Sequence, residues 1–432
     1  MVDFDDALRA FAELLTRKLG EDAAREGRIL RDIYGRLSYV TPRALDEGAG
    51  DLELSAARIL GAYGRPTARL VVSLSDDQPR FRDFLAETSI GVPVAGQTEL
   101  RMIDRRLAGD EWLMRPASLA SSPSRLIFYS VKGGVGRSTA LAIAAADFAA
   151  RGNNVLVIDL DLEAPGLGSL LLRPGDVPKY GVTDWFAAVA AGADENSLIQ
   201  DMTGPSPFTS ARAVVDVVPA AGRHPGAYLS KLARAYTPGS AGERYSGFNF
   251  SRKADALLVQ LASRQRYDVV LIDARAGLHE TSGGLILGLG AKALLFGVDT
   301  PQTFDDFGLL FDAFHQAFDP AIGGEDLRRV LKMVHAKAPR DEKVRQPFRE
   351  RSWGIWSDFL YDDVDPAAEL AGDPFVFDLG DEDAPHYPLE IVGDESYARF
   401  DPRTEDYSLS AEAYGPVFGG FLSGVREIVG LQ

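Results

Sequence analysis

The chain has 432 residues, enough for two or three domains rather than one small core. Its net charge of −17 opposes sequence-independent binding to a phosphate backbone, which needs clustered Lys and Arg, and no basic run stands out. The absence of cysteine removes disulfides, thiolate metal sites and cysteine nucleophiles together, as in a cytoplasmic protein.

The N-terminal segment, residues 1–115, reads as a small α+β unit. Phe4, Leu8, Phe11, Leu15 and Leu19 recur at helical spacing and Gly20 is placed to end the helix. The start is acidic and amphipathic rather than basic then apolar, so it is not a secretory signal. Residues 29–40 predict one or two strands around Tyr34 and Gly35, followed by a helix near 52–62 and a strand near 68–74. Residues 116–124, rich in Pro, Ser and Ala, predict a linker.

From residue 125 to about 340 the texture changes. Short, continuously apolar segments at 126–130, 155–160, 214–218, 268–272, 293–298 and 330–334 predict parallel strands covered on both faces. Helices are predicted between them, notably at 138–150, 252–266 and 303–318. The alternation predicts a doubly wound, mostly parallel α/β sheet. Residues 341–432 form an acidic extension, irregular around 378–388, that ends in an apolar-striped helix at 411–429 expected to pack on the core. No apolar run approaches the ~20 residues of a membrane helix.

The first strand of this region runs into Lys132, Gly133, Gly134, Val135, Gly136, Arg137, Ser138 and Thr139, then a helix. Glycines there let backbone N–H groups turn toward phosphate oxygens, and the helix adds its positive N-terminal end. Ser138 is positioned as a hydroxyl ligand for Mg²⁺ and Thr139 as a donor to a phosphate. The segment 155–161 ends in Asp159 and Asp161, at the strand edge where open α/β sheets bind ligands. A second apolar strand, 268–273, ends in Asp273 and leads into Ala274, Arg275, Ala276 and Gly277. Asp159 suits either a magnesium shell or the cap of the next turn. Arg275 suits a sensor of phosphate or partner, or a solvated surface. The segment 298–303 suits a helix N-cap or a nucleotide contact.

These motifs resemble those of the ParA/MinD P-loop ATPases of the SIMIBI class, whose deviant Walker A pattern is K-G-G-V-G-K-[ST]-T. The resemblance covers about half of the chain, from residue 124 to residue 337. It implies ATP and Mg²⁺ as cofactors, slow hydrolysis, and a nucleotide-sandwiched homodimer regulated by a protein partner. It further implies that Lys132 reaches the partner subunit's phosphates, and that Arg137, where the family has lysine, cradles phosphates together with residues 133–139. Asp161 then positions the attacking water, Ser138, Asp159 and Asp273 serve the metal, and Gly277 meets the γ-phosphate. The family's base-reading Asn has no counterpart in Met333–Lys337, so adenine over guanine rests on the resemblance.

Arginine at 137 also fits a sensor that binds nucleotide without turning it over. A tyrosine kinase of related fold is a further alternative, through Tyr387, Tyr397, Tyr407 and Tyr414, although their wide spacing favours packing roles. The five histidines show no zinc-ligand spacing, and the terminal helix lacks the basic face of a membrane-binding helix.

Overall fold

The structure is a computed structural model that describes residues 3–43, 49–64, 69–73, 89–94, 98–105, 110–208, 212–237, 249–317, 326–363, 374–397, 400 and 411–431. The chain divides into two compact units, Met1–Leu113 and Met114–Gln432.

The first unit is built on strands β1 (Arg28–Arg31), β2 (Leu37–Thr41), β3 (Val71–Ser73), β4 (Ile90–Val94) and β5 (Thr98–Asp104), in the order β3-β2-β1-β5-β4. β1 and β2 pair antiparallel around the predicted turn, and β4 and β5 also pair antiparallel. The predicted first helix is Phe4–Leu19, and its backbone ends at Gly20 with φ of 82°, a conformation that favours glycine. Phe11 and Leu15 from this helix share a buried core with Leu52, Ile29, Tyr39 and Met102. The predicted strand at 68–74 is observed over Val71–Ser73, and its outer residues 68 and 74 lie outside the described residues.

The second unit is a sheet of eight strands: β6 (Ser124–Ser130), β7 (Val155–Asp159), β8 (Gly204–Pro205), β9 (Val215–Val218), β10 (Val269–Asp273), β11 (Lys292–Gly297), β12 (Leu331–Ala338) and β13 (Leu389–Val392). The order is β13-β12-β11-β6-β10-β7-β9-β8, parallel throughout except at the short β8 edge. All five residues of β7 and all five of β10 are buried, so helices cover both faces of the sheet centre. The mostly parallel doubly wound architecture expected from the alternation is present. The helix Arg137–Ala150 owes its close approach to the sheet to its alanines, most of them fully buried.

Two features depart from expectation. Residues 116–124 are laid against the second unit: Ala117 donates its N–H to the Leu287 carbonyl at 2.7 Å, and Ala120 to that of Gly290 at 2.8 Å. The irregular stretch near 378–388 leads into an edge strand, β13, paired with β12. The terminal helix Ala411–Val429 joins the core beside Arg137–Ala150, with Phe421 edge-on to Phe128 and Phe296. Asp147 fastens it there, accepting from Arg426 at 2.7 Å and from the Tyr414 hydroxyl at 3.2 Å. Among the described residues no helix is long and apolar enough to cross a membrane.

Candidate nucleotide site

The Gly-rich loop lies between the carboxyl end of β6 and the helix Arg137–Ala150. Gly134 and Gly136 have φ of 76° and 94°, left-handed backbone that a side chain would strain. A Cβ at Gly133, Gly134 or Gly136 would meet no atom within 4 Å, so the loop borders open space at these three positions. Val135 is buried beneath and anchors it.

Parallel pairing brings the acids together. β7 and β10 are neighbours in register, with Asp159 opposite Asp273 at their carboxyl ends. Both are fully buried, and Asp161 is nearly so. Asp159 accepts backbone N–H bonds from Asp161 on one oxygen, and from Gly166 and Leu167 on the other, at 3.1–3.2 Å. It thereby holds the loop that follows β7. Burial pushes its pKa up to about 8, reinforced by the charge of Asp273 beside it. Burial also raises the pKa of Asp273, against the opposing charge of Arg137.

Arg137 is buried under the loop rather than extended into it. Its Nε donates to Asp273 at 2.5 Å, one Nη to Asp161 at 2.7 Å, and the other to the Ser130 hydroxyl at 3.3 Å. Burial alone would lower the guanidinium pKa; the charges of Asp273 and Asp161 outweigh it and raise the value. The planar fork of arginine suits this bridge between two neighbouring carboxylates, which a single ammonium spans less well.

Ser138 donates its hydroxyl to the other oxygen of Asp273 at 2.7 Å. This hydroxyl and carboxylate are the kind of donors Mg²⁺ takes when water and phosphate oxygens complete its shell. Among the described residues, no group of three or more His, Asp or Glu could hold a metal by itself. Thr139 follows in the first helical turn.

Lys132, half-exposed, pairs with Asp306 of the helix Pro301–Ala317 at 2.7 Å. The Gly277 N–H donates to the Ser130 carbonyl at 3.0 Å, and Gly277 accepts from the buried Tyr129 hydroxyl at 3.1 Å. Arg275 pairs with Glu163 at 2.6 Å, tying the segment after β10 to the loop after β7, and Tyr236 donates its hydroxyl to the same Glu163. At 298–303 the Thr300 hydroxyl accepts the Thr303 N–H at 3.4 Å, the N-cap arrangement. Asp299 pairs with Arg351.

The chain matches no family model and no curated protein. Several solved structures resemble it. ParA of pNOB8 bound to nonspecific DNA is 18% identical, with a TM-score of 0.43 over 71% of this chain and 97% of that one. The cell-division ATPase MinD of Pyrococcus furiosus is 18% identical, with a TM-score of 0.41 over 71% and 99%. A putative plasmid partition protein of Borrelia burgdorferi bound to AMPPNP is 16% identical, with a TM-score of 0.41 over 70% and 100%. At this distance the residues of the chain itself have to carry any functional reading.

Two contacts had no signal in the sequence. Ser130 is an ordinary strand residue there, and Lys337 lies 203 positions beyond the glycine whose carbonyl it meets. Glu163 and Arg275 were visible as charged residues in the two acid-bearing loops, but not as a pair.

Proposed function

We propose that this chain is an ATP-binding molecular switch of the ParA/MinD type, cytoplasmic, with Mg²⁺-dependent and slow hydrolysis. The observation that carries the reading is the open glycine loop on a helix N-terminus, with the Ser138 hydroxyl 2.7 Å from Asp273 below it. Backbone N–H groups of residues 133–139 would bind the β- and γ-phosphates, and Ser138 and Asp273 would hold the metal. Mg²⁺, when bound, neutralises phosphate charge. Asp161 would orient the attacking water once its guanidinium partner moves away. Phosphoryl transfer asks mainly for such positioning and charge. Lys132 would leave Asp306 to reach the nucleotide of a second copy, giving a nucleotide-dependent homodimer. The N-terminal unit would meet a protein partner, and the net charge of −17 disfavours a DNA-coating role.

Turnover of labelled ATP at high protein concentration tests hydrolysis, with Asp161→Ala as control. The reading expects slow release of phosphate by the wild type only, and equal rates in both proteins refute it. Light scattering with a non-hydrolysable ATP analogue should show a monomer-to-dimer shift that Lys132→Ala abolishes. A wild type that stays monomeric refutes the sandwich.

One observation favours a second reading, a sensor that binds without turnover: Arg137 occupies both Asp161 and Asp273. Tight ATP binding with no hydrolysis would select it. The kinase alternative draws no support from Tyr414, which is buried and bonded to Asp147. Tyr407 lies outside the described residues.

A further inference from the structure

A triphosphate brings several negative charges to a site that already holds three aspartates. Among the described residues, the cations whose contacts involve the loop are Lys132, Arg137 and Lys337. Lys132 is paired with Asp306, and Arg137 with Asp161 and Asp273. Lys337 meets an uncharged group: its Nζ donates to the Gly134 carbonyl at 2.7 Å. No ion pair to it is found among the described residues, it sits at the point where the loop turns, and its side chain is exposed.

Lys337 is held there by a specific backbone device. Its φ is 56°, left-handed, a conformation that costs an L-residue free energy and persists only where the surroundings impose it. The pairing of β12 with β13 shifts register between His335 and Ala338, a bulge of the kind that re-aims a side chain. Gly393 closes the bulge by donating to the Ala338 carbonyl at 2.8 Å, and a Cβ on Gly393 would crowd the Lys337 carbonyl at 3.3 Å. Glu390 of β13 is itself fixed by Arg345 at 2.5 Å and Arg349 at 2.8 Å. On the other side His335, fully buried, stacks on Phe348 with ring centroids 4.0 Å apart. Strand β13 and the helix Gln346–Phe359 that bears these residues both belong to the C-terminal extension.

We propose that Lys337 is a nucleotide-binding residue, whose ammonium contacts the phosphates of the bound nucleoside triphosphate in place of the buried Arg137, and that the C-terminal extension serves to aim it. This rests on the nucleotide-binding reading above. On binding, the ammonium exchanges one neutral carbonyl for charged phosphate oxygens, a stronger bond. The bulge keeps the side chain against the Gly134 carbonyl before ligand arrives, so little ordering is lost.

Displacement of a fluorescent ATP analogue tests the assignment, using Mg·ATP and inorganic pyrophosphate as competitors. Lys337→Gly is the informative variant, because glycine adopts the left-handed backbone without strain and the fold should melt no lower than wild type. It should weaken both competitors by about tenfold or more, the scale of one charge-assisted bond. Lys337→Arg should recover most of that loss. The inference fails if Lys337→Gly binds both within twofold of wild type. It fails too if only ATP is weakened and pyrophosphate is not, since the contact would then lie away from the phosphates. A wild type that binds neither competitor would overturn the proposed function and this inference together, a result separable from the other two.

Discussion

Removing the Arg137 guanidinium is the sharpest perturbation available to this site. The guanidinium makes two charge-assisted bonds, at 2.5 Å to Asp273 and 2.7 Å to Asp161. Bonds to charged groups contribute about 1.5–3 kcal/mol each, and stripping one partner from a buried ion pair costs about 3–5 kcal/mol. Arg137→Ala should therefore destabilise the second unit by about 3–5 kcal/mol near pH 8.5. The pH dependence follows from what remains. Without the guanidinium, Asp273 loses the charge that opposes its burial, so its folded pKa rises further above that of the unfolded chain. Groups shifted upward contribute stability below the unfolded pKa and lose it as pH rises through the folded one. The deficit should accordingly shrink toward pH 5.5, where Asp273 takes up a proton. Urea unfolding followed by tryptophan fluorescence measures this, since Trp185, Trp353 and Trp356 lie in the second unit and only Trp112 in the first. Arg137→Lys should fall between wild type and alanine. A loss under about 1 kcal/mol at pH 8.5, or an equal loss at both pH values, would show that the bridge does not hold the acids together.

Three further outcomes are expected. His335 is buried with no hydrogen-bond partner on Nδ1 among the described residues, and burial lowers its pKa from 6.5 to about 4. Its neutral form stabilises the fold fully above pH 6.5 and the contribution fades down to pH 4, so wild type should lose up to about 3 kcal/mol over that window. His335→Phe should flatten that part of the curve in urea titrations, and an unchanged slope counts against the assignment. Asp159 has its folded pKa raised to about 8 from 3.8, so its contribution is present at low pH and lost as pH climbs through 8. In melting curves without nucleotide, Asp159→Asn should gain on wild type between pH 6 and pH 9; a gap that is constant or narrows refutes this. At the terminal helix, a double-mutant cycle of Asp147→Asn and Arg426→Ala should show coupling of about 1 kcal/mol, and strict additivity would mean that the bridge contributes nothing.

The central strands were legible because they are buried on both faces and their sequences record it as unbroken Val, Ile and Leu. The edges were not. β13, Leu389–Val392, carries Glu390 and is only partly buried, and the segment before it is acidic and Pro-containing, so its composition reads as loop although backbone pairing with β12 makes it a strand. β4 contains Gly91 and Pro93, which edge strands tolerate and which erase the pattern. Within the site, residue types and their order along the chain were legible. What the sequence could not state was direction. Lys337 is aimed by a positive φ and a strand bulge, and neither has a signature in side-chain chemistry.

Arg137 shows why direction decides the chemistry. On the proposed reading, a long cation at the start of this helix would have two sets of anions within reach: the phosphates above the loop and the aspartates below it. Lysine offers one compact charge, which a multiply charged phosphate can draw upward. Arginine offers three nitrogens in a plane, and two of them meet Asp273 at the end of β10 and Asp161 just beyond the end of β7. Replacing lysine by arginine keeps the formal charge of the loop while moving that charge beneath it. On the proposed reading, nucleotide binding then depends on the loop's backbone and on Lys337. Hydrolysis depends on whether the bound triphosphate and its metal outcompete a guanidinium for Asp161 and Asp273. Binding and turnover thus become separable properties of one loop, set by which neighbours a single side chain prefers.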